Sequence, residues 1–327
     1  LVSLLLRRLF GLSLLALSLV AASSAPGEQP PVFLLKWGAT GSGTGYFDFP
    51  SDVALDTAGN VYVVELSNHR VQKFNSNGTF LGTWGSFGTE NGEFDSPMGI
   101  TVDTSGNVYV ADTGNDRIQK FDSAGVFERK WGTTGSGDGD FDFPTGVAVD
   151  LAGNVYVADY HNQRIQEFSS TGTFLAKWGS GGTADGYFQS PNSVAVDAAG
   201  NVYVSEYQGD RVQKFDSSHV FVTKWGSQGS GDGQFQYPIG VAVDDEGNVY
   251  VADSGNDRMQ KFDSAGMYLT KWGETGTADG QFDGPRGVAV NSLGDIYVVE
   301  QNNERAQKFG GPWMDFFIGD PDLPITR

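Results

Sequence analysis

The chain has no cysteine, only three histidines and four methionines among its 327 residues. Without cysteine there is no disulfide to staple the fold and no thiolate nucleophile, so the core alone must hold it. Basic residues are scarce too. Lys and Arg total 21 against 40 Asp and Glu, a net charge of −19. That balance disfavours nucleic acid as the natural partner, because affinity for a phosphate backbone comes from Lys and Arg neutralising it. It disfavours an anionic membrane surface for the same reason. Neither a His-Glu-x-x-His nor a Gly-x-Ser-x-Gly motif occurs, which removes the commonest metalloprotease and hydrolase signatures. Beyond residue 22 no apolar run is long enough to span a bilayer, and the helical period is absent.

What remains is a repeat. Pro50, Pro97, Pro144, Pro191, Pro238 and Pro285 stand 47 residues apart, as do Trp37, Trp84, Trp131, Trp178, Trp225 and Trp272. Arg70, Arg117, Arg164, Arg211, Arg258 and Arg305 keep the same step. With 13% aromatic and 39% hydrophobic residues, each unit can bury a core. Repeats of this length built from short strands signal a propeller or an array. In the second unit Gly99 to Asp103 is a strand, Thr104-Ser105-Gly106 turns it, and Asn107 to Asp112 returns it. Glycine in a short loop between apolar runs is a hairpin signal. Arg117 to Phe121 is the third strand and Phe127 to Trp131 the fourth.

The expected fold is therefore all-β: a six-bladed β-propeller with four antiparallel strands per blade. Phe47, Phe94, Phe141, Phe188, Phe235 and Phe282 are placed to fill the gaps between blades, with the tryptophans on outer strands. One fourth strand is missing from the end of the repeat series, and Val32 to Gly38 carries its pattern at the N-terminus. This segment is expected to complete the last blade and close the ring, removing exposed sheet edges. Trp313 to Ile318 competes for the place, but Gly319 stands where its tryptophan should be.

Residues 1–25 have the layout of a signal peptide: Arg7 and Arg8, an apolar run, then Ser23-Ser24-Ala25 before Pro26. An uncleaved anchor is the rival reading. Residues 26–31 follow as a linker, 32–318 as the propeller and 319–327 as a tail. A secreted, periplasmic or cell-surface monomer is expected, with no membrane insertion once the signal is removed.

The stretch Val-Tyr-Val-Ala-Asp, then Asn, then Arg-Ile-Gln-Lys-Phe, between Val108 and Phe121, resembles the NHL repeat. The likeness extends over all six units, about residues 32–318. It implies a six-bladed propeller, in agreement with the strand count. It implies function less narrowly, since family members include binders of protein or RNA, bacterial sensors and a metal-dependent lyase. The lyase holds its zinc with histidines. Here His69 and His161 fall on loops between second and third strands, while His219 lies on the opposite kind of turn, so one face does not gather all three.

Repeated residues serve the repeat. Glu65, Asp112, Asp159, Glu206, Asp253 and Glu300 each precede an arginine of the column by five residues, and are expected to pair with it across the hairpin. Asp56, Asp103, Asp150, Asp197, Asp244 and Asn291 are expected to bond their own turns. Loops such as Gly135 to Gly139 look like phosphate cradles, but no helix and no Lys-Ser/Thr pair follows. The bidentate Glu of a calcium loop is missing as well. They are expected to be flexible turns, with calcium or zinc only as an alternative and no cofactor otherwise. Function must lie where copies disagree. After each proline, and on loops of the same face, stand Asp52, Tyr160, His161, Asn192, Tyr207 and Arg286, unlike groups around one channel mouth. They are the candidate rim of a non-catalytic binding propeller for a protein, peptide or carbohydrate ligand. The alternative is a metal-dependent lyase or lactonase using Asp52, Asn192, His161 and Arg286.

Overall fold

The computed structural model of the chain describes residues 28–311. The expected signal peptide, the competing segment Trp313 to Ile318 and the tail 319–327 lie outside the described residues. Six four-stranded antiparallel sheets follow one another around a central axis. Blades 1 to 5 span residues 50–84, 99–131, 144–178, 191–225 and 238–272. Blade 6 takes Pro285–Val290, Ile296–Glu300 and Arg305–Gly310, and its outermost strand is Val32–Trp37. The N-terminal strand does close the ring, with Phe33 opposite Phe309 and Trp37 opposite Ala306. Of the linker, residue Glu28 is already docked, its carboxylate 2.6 Å from the Lys261 ammonium of blade 5.

A blade has no core of its own. The buried residues fall into six clusters, each shared by two neighbouring blades. Tyr62, Val64 and Val71 of blade 1 pack against Ile100, Val108, Val110 and Phe121 of blade 2, with Phe94 between them. The closing interface has the same make-up: Tyr297, Val299 and Ala306 of blade 6 meet Val53, Val61 and Val63 of blade 1 around Phe47. Both faces of the second strands are buried, so Val108–Asp112 has no exposed residue and no alternation of apolar with polar.

The acidic and arginine columns pair as expected, and they do more. Arg117 Nε donates to Asp112 Oδ2 at 2.6 Å, while Nη2 donates to the carbonyls of Glu90 and Glu93, both at 2.9 Å. Gln119 Nε2 donates to Asp112 and to the Glu93 carbonyl, and Asn115 Nδ2 to Asp112 and to the Gly88 carbonyl. This knot binds the loop that enters the blade. In blade 3 Arg164 reaches the carbonyls of Ser136, Gly137 and Asp140 in the same way. The glycine-rich loops are thus clamped rather than flexible. Their carbonyls face the arginine guanidinium. The expected turn bonds are present: Asp103 Oδ1 accepts from the N–H of Ser105 and of Asn107.

A second link joins neighbouring blades. The residue before each column arginine is an acceptor for the N–H of the residue before the next proline. Phe143 N–H donates to Asp116, Tyr237 N–H to Asp210, and Phe49 N–H to Glu304 at 2.7 Å across the ring closure. His69 Nδ1 plays this part for Ser96. Both ends of the link sit in the left-handed backbone region, as with Asp116 at φ 49° and Phe143 at φ 60°.

Asp112 is fully buried, and desolvation holds its carboxyl above the ordinary carboxylate range despite its donors from Asp95, Asn115 and Arg117. Replacing it by alanine leaves the Arg117 guanidinium buried without a counter-charge. Asp112→Ala is expected to cost about 3–5 kcal/mol in chemical denaturation. A loss below about 1 kcal/mol would show that the knot is dispensable.

Candidate functional site

The axial channel is divided in three. An upper cavity of about 540 Å3 opens on the face carrying the proline ends of the inner strands. A lower chamber of about 180 Å3 is walled by rings of Val and Ala, among them Val149, Val196 and Val243. Between them is a throat of about 20 Å3, room for a single water. The throat is narrow because the inner strands meet there backbone to backbone. A Cβ added at Gly240 would lie 2.2 Å from the Arg286 carbonyl oxygen, so only glycine fits.

Five of the six expected rim residues line the upper cavity together: Tyr160, His161, Asn192, Tyr207 and Arg286. Asp52 is not on the rim. It sits in the throat, where its carboxylate accepts from the N–H of Val53 at 2.9 Å and of Ile100 at 3.0 Å. The post-proline position puts a side chain at the mouth, and Asp52 follows one residue later, a step deeper along the strand.

Sequence reasoning missed Phe143 and Tyr237. Both immediately precede a column proline, and their left-handed conformation turns the ring up into the mouth. Tyr237 stacks on Tyr207 with centroids 4.9 Å apart and planes at 23°. Phe143 stacks on His161 at 4.9 Å and 24°, with Tyr160 edge-on at 6.0 Å. The signal was present: the pre-proline column reads Phe49, Ser96, Phe143, Ser190, Tyr237 and Gly284. Two aromatic pairs from blades 3 to 5 thus face the amides of Asn192 and Asn302 and the Arg286 guanidinium.

Arg286 is singular. Its Nη1 donates to Gln301 Oε1 at 2.8 Å, and its guanidinium lies 5.3 Å from the Phe49 ring centre. Its Nε is buried with no acceptor among the described residues. An orphaned buried donor costs about 1–3 kcal/mol, so it calls for a partner.

Comparison with known proteins bears on the fold. The NHL repeat family matches residues 47–74, 94–121, 141–168, 235–262 and 282–309. Together with six four-stranded blades, this decides the family. The chain is an NHL-repeat propeller. A search of curated protein sequences returns no match. Among solved structures, a gluconolactonase from Xanthomonas campestris is similar at 14% identity, covering 88% of this chain and 99% of the other, with a TM-score of 0.62. An auxiliary nutrient binding protein from Bacteroides thetaiotaomicron is similar at 12% identity over 87% and 75% of the two chains, TM-score 0.63. Virginiamycin B lyase from Staphylococcus aureus follows at 10% identity, 84% and 98% coverage, TM-score 0.58. Such identities speak for shared architecture, not shared chemistry.

The NHL match passes over the fourth repeat, although its blade is complete. That copy has Gly209 where five others have asparagine, and Ser205 within its second strand. The Ser205 hydroxyl bonds the Ile239 carbonyl and receives the Ser193 N–H, tying inner strands of blades 4 and 5 beneath Tyr207.

The three histidines are otherwise engaged. His161 Nδ1 is held 2.8 Å from Asp142 Oδ1, His69 is spent on the blade link, and His219 lies on the other face, stacked on Trp178 at 4.1 Å. Among the described residues no three His, Cys, Asp or Glu side chains converge to ligate an ion.

Burial in the throat pushes the Asp52 carboxyl from 3.8 up to about 7, against the lowering effects of the Ile100 and Val53 N–H groups and of Arg286. Part of its surface lines the channel, at the throat and the lower chamber. Between those two values the folded protein holds a proton that the unfolded chain has released. The stabilising contribution of this group is therefore full at low pH and is lost as pH rises through about 7. Other buried carboxyls raised in the same direction, such as Asp159 and Asp253, add to the trend. Asp52→Asn is expected to flatten the fall in thermal midpoint between about pH 5 and about pH 8 relative to the parent. Superimposable profiles for the two proteins would mean that Asp52 titrates normally.

Proposed function

We propose that this NHL propeller is an exported, non-catalytic binding protein that takes a peptide, a carbohydrate or an exposed segment of a partner protein into its upper cavity. The observation that carries the reading is the pairing of Tyr207 with Tyr237 and of Phe143 with His161 across one opening, beside the amides of Asn192 and Asn302. Aromatic faces next to amides suit a ligand with an apolar face and a polar rim. The pairs are pre-stacked and their backbones latched to the next blade, so little order remains to be imposed on binding. The absence of nucleophile motifs and the committed histidines favour binding over turnover. Export rests on residues 1–25 of the sequence.

Tyr237→Ala removes one ring of a pair while leaving the core untouched, since Tyr237 is 40% exposed. It is expected to weaken ligand capture about tenfold, in keeping with the worth of a buried aromatic contact, with the thermal midpoint unchanged. Screening the purified full-length chain against glycan and peptide arrays, followed by titration of the hits, provides the measurement. Unchanged affinity in the variant, or chemical conversion of the bound compound, would refute the reading.

A further inference from the structure

We propose that the upper cavity selects ligands carrying a carboxylate, which docks on Arg286 at the cavity floor. The inference rests on the binding reading above and names the chemistry of its ligand. Every arginine of the repeated column has a carboxylate oxygen within 2.7 Å: Arg70, Arg117, Arg164, Arg211, Arg258 and Arg305. Arg286 has none within ion-pair distance among the described residues, although it stands where cavity meets throat. Arg129 also lacks a carboxylate, but it is exposed to solvent and donates to the Thr171 carbonyl.

Asp52 acts on Arg286 through its field: its oxygens accept from the N–H groups of Val53 and Ile100, and it makes no hydrogen bond or ion pair with the guanidinium. Burial also keeps Asp52 protonated up to about neutral pH, which leaves the guanidinium uncompensated below that point. Arginine keeps its charge in proteins. The Phe49 ring covers one side of the guanidinium, Gln301 takes Nη1 and Nε is buried, so Nη2 is the nitrogen left for a ligand in the cavity. A guanidinium N–H group with no protein acceptor is one that a carboxylate oxygen fills with a charge-assisted hydrogen bond. The net charge of −19 makes this local cation all the more selective: acidic ligands are repelled elsewhere on the molecule and accepted here.

A carboxylate beside an apolar or ring-bearing body occurs in acidic sugars and at the C-terminus of peptides. The test uses both, each with a twin whose carboxylate is masked: a hexuronic acid against its methyl ester, and a short aromatic peptide against its C-terminal amide. Titration calorimetry of the full-length chain near pH 6 is expected to show one free acid binding at least about tenfold more tightly than its twin. Arg286→Gln is expected to bring the acid down to the level of the twin without altering the twin itself, and Arg286→Lys to fall between. Tyr207→Ala weakens acid and twin alike. The pair that responds identifies the source.

Equal binding of acid and twin, or indifference to Arg286→Gln in a protein that melts normally, overturns the carboxylate assignment and leaves the cavity as the binding site. Displacement of the acid by equimolar inorganic phosphate overturns it too, reducing Arg286 to a general anion site. Indifference to both Arg286→Gln and Tyr207→Ala overturns the cavity as well.

Discussion

The guanidinium of the arginine column is the group on which the rest of the structure depends. A propeller needs an irregular loop to carry the chain from the outer strand of one blade to the inner strand of the next, and the carbonyls of that loop have no strand to pair with. Arg117 answers three of these needs at once, taking the carbonyls of Thr89, Glu90 and Glu93 while Asp112 balances its charge. Gln119 and Asn115 complete the set from the same hairpin. A buried ion pair is by itself a weak source of stability, since desolvation offsets most of its attraction. Its value here is geometric. The knot sets where each loop ends, hence where each proline starts the next inner strand, hence the diameter of the channel.

Six copies of one knot would make a symmetric ring with six equal tips, and symmetry leaves little room for selectivity. The departures matter for that reason. Glycine crowds most of the throat, but Asp52 and Ser193 stand there in blades 1 and 4. The pre-proline residue is conformationally fixed while its side chain is free to vary, so a repeat can carry Phe143 or Tyr237 at no cost to the latch beneath, which takes only the backbone N–H of that residue. Blade 6 supplies an arginine at the post-proline position where blades 1 and 3 have Ser51 and Thr145. Those hydroxyls bond the carbonyls of the next blade's inner strand, Ser51 that of Pro97 and Thr145 that of Asn192. Arg286 is too long for that role and extends to Gln301 instead. At the mouth, asymmetry is thus carried by side chains that stand above a shared backbone frame, and the cavity gathers them.

Much of this was legible in the chain. Equal spacing of the proline, tryptophan and arginine columns told the blade number, and the stranded pattern of Val32 to Trp37 told how the ring closes, because a strand with no sheet of its own must join another. Five rim residues were legible as well, since period 47 gives each a position equivalent to the next. Three things were not. The loops of Gly135 and its equivalents looked mobile because their restraints come from an arginine some 27 residues away along the chain. Phe143 and Tyr237 were hidden because the left-handed turn that lifts their rings is a backbone property that no side chain announces. Asp52 was misplaced by one step of a strand, a matter of a few ångströms along the axis that decides between solvent and throat.

What the sequence by itself determined is everything that repeats: strand order, blade count, closure, and the pairing of acid with arginine. A periodic pattern constrains each copy six times over, and local chemistry suffices to read it. What only the tertiary structure decided is what happens once. That Arg286 has no carboxylate partner among the described residues, that Asp52 accepts from two backbone N–H groups, and that two aromatic pairs line one cavity follow from residues far apart in the chain meeting across the axis. Their distances are set by how six sheets pack, and no single segment carries that information.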